Sequence, residues 1–357
     1  MTTLHRFTAK PPDVPMSAAW YLADLGEAKG RQELFTRQSP QRLKALREHA
    51  MIESAVSSNR IEGVEIDASR VQAVVLGRPA LRDRNEEEVR GYRNALKLIH
   101  DSARRLAISE QTILELHSLS RGRIGDAGQY KRRDIDIIET YPDGRSRVRF
   151  KTVPAKRTSA AMGELISRWH DALEERRLHP LLAVAAFNLD FLCIHPFRDG
   201  NGRVSRLLLL LQCHHLGFEV GRYVSIERII EQSKDRYYET LEQSSQGWHE
   251  GKHDPWPYLS YQLYVLKEAY RELEDRLGQV KAPRGEKGAI VLDAIRRAAG
   301  DFSIADLQRE CPGVSVDMIR HVLKRLRRED QVECLGRGSS ARWRRIGGKM
   351  GNSGGNG

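Results

Sequence analysis

Cysteine is scarce in this sequence of 357 residues, which contains only four, and no two of them form a Cys-x-x-Cys pair. Cysteine-based zinc sites and disulfide scaffolds need such spacings, so we expect neither, and we expect a reducing, cytoplasmic setting. Long apolar runs are also missing. The longest aliphatic stretch, Leu207–Leu211, is far shorter than the roughly 20 residues of a membrane helix. The first 20 residues lack the apolar segment of a secretory signal, so we expect no membrane association.

Acidic residues are in deficit: 48 Asp and Glu stand against 59 Lys and Arg, which gives a net charge of +11. The excess is concentrated near the C-terminus, where residues 283–350 hold 15 basic and nine acidic side chains, a net of +6. This concentration favours a polyanionic partner for the segment. The alternative is a basic surface that only keeps the protein soluble.

The spacing of apolar residues predicts a mainly α-helical chain. Helices are expected over residues 41–60, 85–106, 109–119, 159–177, 181–194, 204–216, 226–242 and 255–277. Between them, residues 128–151 hold two short β-like runs around a Tyr-Pro-Asp-Gly turn, which predicts a hairpin. We therefore expect a helical region at 1–107, a second helical domain at 108–278 and a linker near 279–288.

Beyond the linker, three short helical stretches (289–299, 304–310 and 316–328) precede two strand candidates at 332–335 and 341–345. Three helices followed by a two-stranded wing are typical of a winged helix-turn-helix, here at 285–346, with a flexible tail at 347–357. Basic side chains on the third helix and the wing are candidates for contact with DNA phosphates: Arg320, Lys324, Arg325, Arg328 and Arg342. Winged helices also bind proteins, so that alternative stays open.

The most informative segment is His195–Arg206, with the sequence His-Pro-Phe-Arg-Asp-Gly-Asn-Gly-Arg-Val-Ser-Arg, between two helices predicted to be buried. Gly200 and Gly202 allow a tight turn whose backbone N–H groups converge, next to the positive end of the following helix. Arg203 and Arg206 are three residues apart on that helix, so they share a face and could hold one polyphosphate.

Two further side chains of the segment have chemistry that suits such a site. Asp199 could hold Mg²⁺, which proteins bind through one or two carboxylates together with phosphate oxygens. His195, at the entrance to the turn, could take a proton from an attacking hydroxyl. The alternative is a helix–loop–helix corner in which His195 only caps a helix and the arginines face solvent.

This segment fits in full the pattern His-x-Phe-x-Asp/Glu-Gly-Asn-Gly-Arg-x-x-Arg, and over about Met51–Leu266 the chain resembles the Fic (Fido) family. The resemblance implies a helical bundle with a hairpin flap that transfers AMP from ATP to a Ser, Thr or Tyr hydroxyl of a target protein. It implies His195 as general base and Asp199 as Mg²⁺ ligand. It also implies nucleotide contacts from Gly200, Asn201, Gly202, Arg203, Arg206 and Tyr237, although Tyr237 could equally be an ordinary helix tyrosine.

A second motif lies upstream, where Ser58 and Glu62 are four residues apart and thus on one helix face, followed by Gly63. It resembles the family's inhibitory pattern, Ser/Thr-x-x-x-Glu-Gly/Asn. The resemblance implies that Glu62 pairs with Arg206 and prevents productive ATP binding, as in the class with an N-terminal inhibitory helix. The alternative is an ordinary helix end.

The hairpin also has a counterpart in the family. The segment containing Ile135, Asp136, Ile137 and Ile138 resembles the strand that aligns a target backbone by strand addition. The alternative is a buried structural strand. Residues 139–149 form a longer polar hairpin than the family pattern suggests, which leaves the target open.

Together these features predict an autoinhibited protein adenylyltransferase that uses ATP and Mg²⁺ and could also remove AMP, with Glu62 orienting a water. The alternative is a DNA-binding regulator that uses the Fic-like domain as a nucleotide sensor. A homodimer remains open.

Overall fold

The computed structural model describes residues 2–36, 40–77, 80–122, 125–140, 143–278, 286–298, 300–311, 314–336 and 341–346. It divides the chain into two compact units, residues 1–277 and 278–357. The domain boundary expected at 107/108 falls inside the first unit. Residues 141–142 of the predicted turn, most of the predicted linker and the tail at 347–357 lie outside the described residues.

The first unit is mostly helical, which confirms the mainly α prediction. Among the described residues, no helix has the length and apolarity needed to cross a bilayer. Its helices are α1 Thr3–Ala9, α2 Met16–Thr36, α3 Pro40–Ile61, α4 Val71–Leu76, α5 Arg84–Ser102, α6 Glu110–Arg121, α7 Ala155–Glu175, α8 Pro180–Ile194, α9 Asn201–His215, α10 Ile226–Gln232, α11 Lys234–Ser245 and α12 Trp256–Gly278.

The core of this unit is built around α8 and α9. Every residue from Leu181 to Ile194 is buried, as is every residue from Arg203 to His214. A helix that is apolar on nearly all sides is stable only when other elements surround it. Helices α7 and α9 pack against α8, and α5 and α6 pack against α9. The turn between α8 and α9 is therefore held by two of the most buried helices in the unit.

The helical arrangement differs from the sequence prediction in one break and in three additional helices. The single helix expected over 226–242 is wrong, because the chain breaks at Ser233 between α10 and α11. There the Ser233 hydroxyl donates to the carbonyl of Ile229 at 2.9 Å and lies 2.9 Å from the Tyr261 hydroxyl, so it competes with helix continuation. Helices α1, α2 and α4 were not predicted. The first N–H groups of α1 are capped by the buried Asp190 carboxylate of α8, at 2.8 Å each.

The predicted hairpin is present as β1 Ile137–Thr140 and β2 Ser146–Phe150, which pair antiparallel. Ile135 and Asp136 precede β1 and are not part of the strand. Ile138 is 60% exposed, which argues against the alternative of a buried structural strand.

The second unit contains α13 Glu286–Arg297, α14 Ile304–Glu310 and α15 Val316–Arg328, with strands β3 Phe302–Ser303, β4 Val332–Cys334 and β5 Arg342–Arg345. The strand order is β3-β5-β4. The two strands predicted near 332 and 341 are β4 and β5, whereas β3 was not predicted. The hydrophobic core of the second unit includes Ile295, Leu323 and Trp343.

Candidate active site

The turn between α8 and α9 depends on two residues with positive φ. His195 is the C-cap of α8, with φ 52°, and its N–H donates to the carbonyl of Phe191 at 2.9 Å. Gly200, with φ 83°, is the N-cap of α9. The Asn201 side chain closes the turn, because its oxygen accepts the Phe197 N–H at 2.9 Å and its amide donates to the Phe197 carbonyl at 2.8 Å. The buried Asn201 side chain thus fixes the backbone of the turn at Phe197.

Phe197 anchors the turn in the core. Its ring is fully buried and stacks on His117, with ring centroids 3.7 Å apart and planes at 5°. His117 Nε2 lies 3.1 Å from the Asp199 carbonyl, and Nδ1 accepts the Gly128 N–H at 2.9 Å. Burial lowers the pKa of His117 to about 4, so a neutral ring with one donor and one acceptor matches both partners. Sequence analysis did not identify His117.

His195 faces a cavity of about 240 Å³. Burial, with the nearby Lys131 ammonium, lowers the pKa of His195 to about 4, so its ring is neutral and can accept a proton at pH 7. Tyr237 also lines the cavity, and its side chain is almost fully buried, with 2% exposed. The remaining lining residues come from the hairpin, α8, the start of α9, α11 and the turn after α3: Glu62, Ile137, Arg149, Phe150, Leu192, Cys193, Gly202, Tyr238, Leu241, Glu242 and Ser245.

Lys131 joins the segment before the hairpin to the turn. Its ammonium donates to the Thr152 hydroxyl at 2.7 Å and to the carbonyl of Ile194 at 3.1 Å. Its backbone N–H donates to the Pro196 carbonyl at 2.8 Å. Burial lowers the pKa of Lys131 to about 8. This lysine was not singled out from the sequence, because its partners are 21 or more residues away in the chain.

Helix α3 brings the predicted inhibitory motif to Arg206. The Arg206 guanidinium is 3% exposed and donates from Nε to the Ser58 hydroxyl at 2.8 Å. Its Nη2 donates to the Ser58 carbonyl and to Glu62 Oε1, both at 2.9 Å. Although burial alone would lower it, the Glu62 carboxylate raises the pKa of Arg206 above its ordinary value. Gly63, with φ 79°, follows the last helical turn as predicted.

The Glu62 carboxylate lies directly against Gly202. A Cβ added to Gly202 would lie 2.2 Å from Glu62 Oε1, so only glycine permits this approach. Gly202 belongs to the first turn of α9, whose unpaired N–H groups and positive dipole end favour a negative charge. Glu62 therefore occupies the position at which an anion would be held.

Arg203 lies in the interior and does not line the cavity. It is 1% exposed and donates from Nη1 to Glu88 Oε2 at 2.6 Å and to the Asn59 side chain at 3.2 Å. Glu88 also accepts from Arg84 at 3.0 Å and from Arg121 at 3.2 Å. Neither arginine lines the cavity at His195: Arg206 donates to Ser58 and Glu62, and Arg203 donates to Glu88. Glu88 and Arg121 contact the residues of the turn and were not predicted from the sequence.

Asp199 lies at the outer edge of the turn, with its side chain 49% exposed. One carboxylate oxygen accepts from Arg121 at 2.6 Å and the other accepts the Gly200 N–H at 2.6 Å. Burial opposes ionisation, but Arg121 and Arg203 outweigh it and lower the pKa of Asp199. Asp199 is therefore an ionised carboxylate open to solvent on one side.

The candidate DNA contacts lie together in the second unit. All five are exposed, four on α15 and one on β5, while the apolar face of α15 turns inward: Arg320, Lys324, Arg325, Arg328 and Arg342. Arg320 bonds to Asp317 at 3.2 Å, and Arg342 to the carbonyl of Asp301 at 2.9 Å.

The geometry is that of a helical domain with a glycine-rich turn at the start of a buried helix. Residues 107–213 match the Fic/DOC family. The protein adenylyltransferase Fic of Drosophila melanogaster is 23% identical over 287 residues, which cover 73% of this chain and 54% of that protein. This chain thus spans about half the length of the curated relatives it matches.

Solved structures show the same fold. A Fic family protein from Desulfovibrio desulfuricans G20 is 25% identical with a TM-score of 0.61, covering 95% of this chain and 99% of that chain. Fic-1 from C. elegans is 20% identical with a TM-score of 0.57, and the match covers 77% of this chain and 80% of that chain.

Proposed function

We propose that this protein is an autoinhibited protein adenylyltransferase, which transfers AMP from ATP to a hydroxyl side chain of a target protein. The observation that carries the proposal is the Glu62 carboxylate seated on Gly202 and bound to Arg206 at 2.9 Å. In this proposal the Glu62 carboxylate occupies the position that a phosphate of ATP takes in the active state. The names of the Drosophila relatives support the same activity.

In this mechanism His195 is the general base. Its neutral imidazole takes the proton of the target hydroxyl as the hydroxyl oxygen bonds to the α-phosphorus. The bond from that phosphorus to the bridging oxygen breaks, and pyrophosphate leaves. The start of α9 and Arg206 stabilise the phosphates, so positioning and charge neutralisation supply most of the catalysis.

The donor set around Asp199 fits Mg²⁺ as a single protein ligand. The carboxylate is ionised and half-exposed, which suits a cation that keeps most of its waters and takes phosphate oxygens. When bound, the ion would neutralise phosphate charge. Arg121, at 2.6 Å, holds the carboxylate in place from its buried side.

Glu62 supplies the inhibition. To bind Arg206, a γ-phosphate must displace the hydrogen bond between Arg206 and Glu62. A hydrogen bond between charged groups contributes about 1.5–3 kcal/mol. Each 1.4 kcal/mol changes a population about tenfold. We therefore expect the closed arrangement to suppress transfer by roughly ten- to a hundredfold.

Labelling with radioactive ATP tests the proposal. Glu62→Gly should raise self-labelling at least about tenfold over wild type, and mass spectrometry should show the gain of one AMP. The matched control is Glu65→Gly, which removes an exposed glutamate on the same segment. Adding His195→Ala to Glu62→Gly should abolish the label. Equal labelling of wild type and Glu62→Gly would contradict the inhibitory role, and no label from either would favour the nucleotide-sensor alternative.

Removal of AMP is a second activity of the same site in this proposal, with Glu62 orienting the attacking water. A chase without ATP tests it on protein labelled in advance by Glu62→Gly. Wild type added to the chase should release AMP, and added Glu62→Gly should not.

The hairpin is proposed to align the target. Ile138 on β1 and Val148 on β2 are 60% and 51% exposed, which supports an extended segment laid beside the hairpin. Ile135, Asp136 and Ile137 complete the proposed contact segment. Ile138→Asp should therefore weaken labelling of a target in trans.

The second unit is proposed to be a winged helix that binds DNA. The support is the outward-facing basic set on α15 and β5. Binding to a DNA duplex should weaken steeply as salt rises from 50 to about 200 mM, and Lys324→Glu with Arg325→Glu should remove it. Retention that does not respond to salt would favour a protein partner. Preserved DNA binding by His195→Ala would separate this role from the enzymatic one.

A further inference from the structure

A basic groove lies on the opposite part of α3 from the inhibitory motif. It consists of two adjoining cavities of about 530 and 640 Å³, formed by α3, α5, the end of α9 and the short 3₁₀ helices Ala103–Arg105 and Val220–Arg222. The two cavities share four lining residues: Arg47, His100, Asp101 and Arg222. None of the four lines the cavity at His195.

The lining of this groove is strongly positive. Five Lys and Arg side chains face two carboxylates in the first cavity, and four face two in the second. Counted once each, seven cations stand against three acids, a net of +4. An excess of positive charge in a concave, partly enclosed site attracts anions more strongly than the same charge on a flat surface.

Two of the arginines are fixed in position. Arg47 donates to the Tyr223 hydroxyl at 3.1 Å, with its guanidinium 5.3 Å from the centre of that ring. Arg222 donates to the carbonyl of His100 at 2.6 Å and to Glu219. A guanidinium has five N–H donors, so each keeps donors for a ligand while its orientation is already set.

A buried histidine also lines the second cavity. The His214 side chain is 1% exposed, and its Nδ1 lies 3.7 Å from Glu219 Oε2. Its Nε2 lies 3.3 Å from His100 Nδ1. Burial, together with His100 and Arg222, lowers the pKa of His214 to about 2, so its ring is neutral.

We propose that this groove binds a small anion carrying two or more phosphate groups. The volumes suit a small molecule rather than a macromolecular surface. Arginine pairs grip phosphate oxygens with two donors each, so adjacent phosphates match Arg47 and Arg222 better than a lone carboxylate does. This site is independent of the catalytic cavity.

Calorimetry on the full-length protein tests the proposal, with pyrophosphate and tripolyphosphate as probes of inorganic polyphosphate and ADP as a probe of a nucleoside diphosphate. Arg104→Glu with Arg105→Glu reverses two exposed charges of the second cavity. It should weaken binding about tenfold or more. Arg176→Glu with Arg177→Glu reverses a similar exposed pair elsewhere and should have little effect.

Arg206→Ala separates this site from the catalytic one and should leave the groove affinity unchanged. If binding survives Arg104→Glu with Arg105→Glu, or is lost equally in the Arg176/Arg177 control, the groove is not the site and the proposal fails. Tighter binding of ADP than of pyrophosphate would identify a nucleotide, and the reverse would identify inorganic polyphosphate. These outcomes do not depend on whether AMP transfer is observed.

Discussion

Glu88 is the residue whose removal tests the architecture of the site most directly. It is 2% exposed and accepts hydrogen bonds from Arg203, Arg121 and Arg84. Two of those arginines are themselves 1% and 3% exposed. Glu88→Gln keeps the shape of the side chain but removes the charge, so it leaves two buried guanidinium groups without their shared carboxylate.

The expected cost follows from burial. Removing one partner of a buried ion pair costs about 3–5 kcal/mol, because the remaining charge is left uncompensated. Asn59 and Asp199 remain as partners of Arg203 and Arg121, so we expect the lower end of that range, about 3 kcal/mol. For a unit of this size each kcal/mol lowers the melting temperature by about 2–4 °C. Glu88→Gln should therefore melt at least about 6 °C below wild type.

Thermal unfolding followed by circular dichroism measures this difference. Glu115→Gln on α6 removes an exposed glutamate and should melt within about 1 °C of wild type, since exposed substitutions change stability little. A Glu88→Gln protein that melts within about 2 °C of wild type would refute the view that Glu88 holds Arg203 and Arg121 together. The positions of Arg203 and Arg121 would then be set by the turn between α8 and α9 and not by Glu88.

Three further predictions concern the residues around the turn. Because burial lowers the pKa of His195 to about 4, labelling by Glu62→Gly should change little from pH 7.5 to 5.5, whereas an ordinary histidine would lose roughly tenfold. Lys131→Met removes the nearby positive charge, so the lower pH midpoint of labelling should move towards neutral, and Lys131→Arg should restore it. Gly202→Ala places a methyl group against Glu62. It should therefore lower the melting temperature of wild type more than that of Glu62→Gly, and additive losses would argue against the contact.

The elements that the sequence predicted well are those fixed by local patterns. Helices α8 and α9 follow from near-continuous apolar runs, and the turn between them from Gly200; Gly202, also assigned to the turn, lies in the first turn of α9. The expected contact of Ser58 and Glu62 with one partner also depended on local spacing, and both contact Arg206 from the end of α3 and the turn after it; the inhibitory role stays a prediction. Each of these signals is contained within about one dozen residues.

The parts that the sequence did not reveal depend on pairs that are distant in the chain. Glu88 and Arg203 are 115 residues apart, and Asp190 caps α1 across 187 residues. Nothing in the local pattern distinguishes Glu88 from its neighbours Glu86 and Glu87 in the run Asn-Glu-Glu-Glu. The hydrogen bond from Arg203 to Glu88 of α5 could not be predicted for the same reason. The expectation that Arg203 and Arg206 hold one phosphate stays a prediction.

The proposed inhibitory contact and the proposed catalytic site use the same donors. Arg206 and the start of α9 can serve the Glu62 carboxylate or a phosphate, because Glu62 lies directly on Gly202. Two of the three bonds to Arg206 come from Ser58, through its hydroxyl and its carbonyl. Both acceptors are neutral and remain when Glu62 is removed. Ser58 therefore keeps the guanidinium in place in either state, which is why loss of Glu62 should free the anion site without disordering the arginine that a γ-phosphate needs.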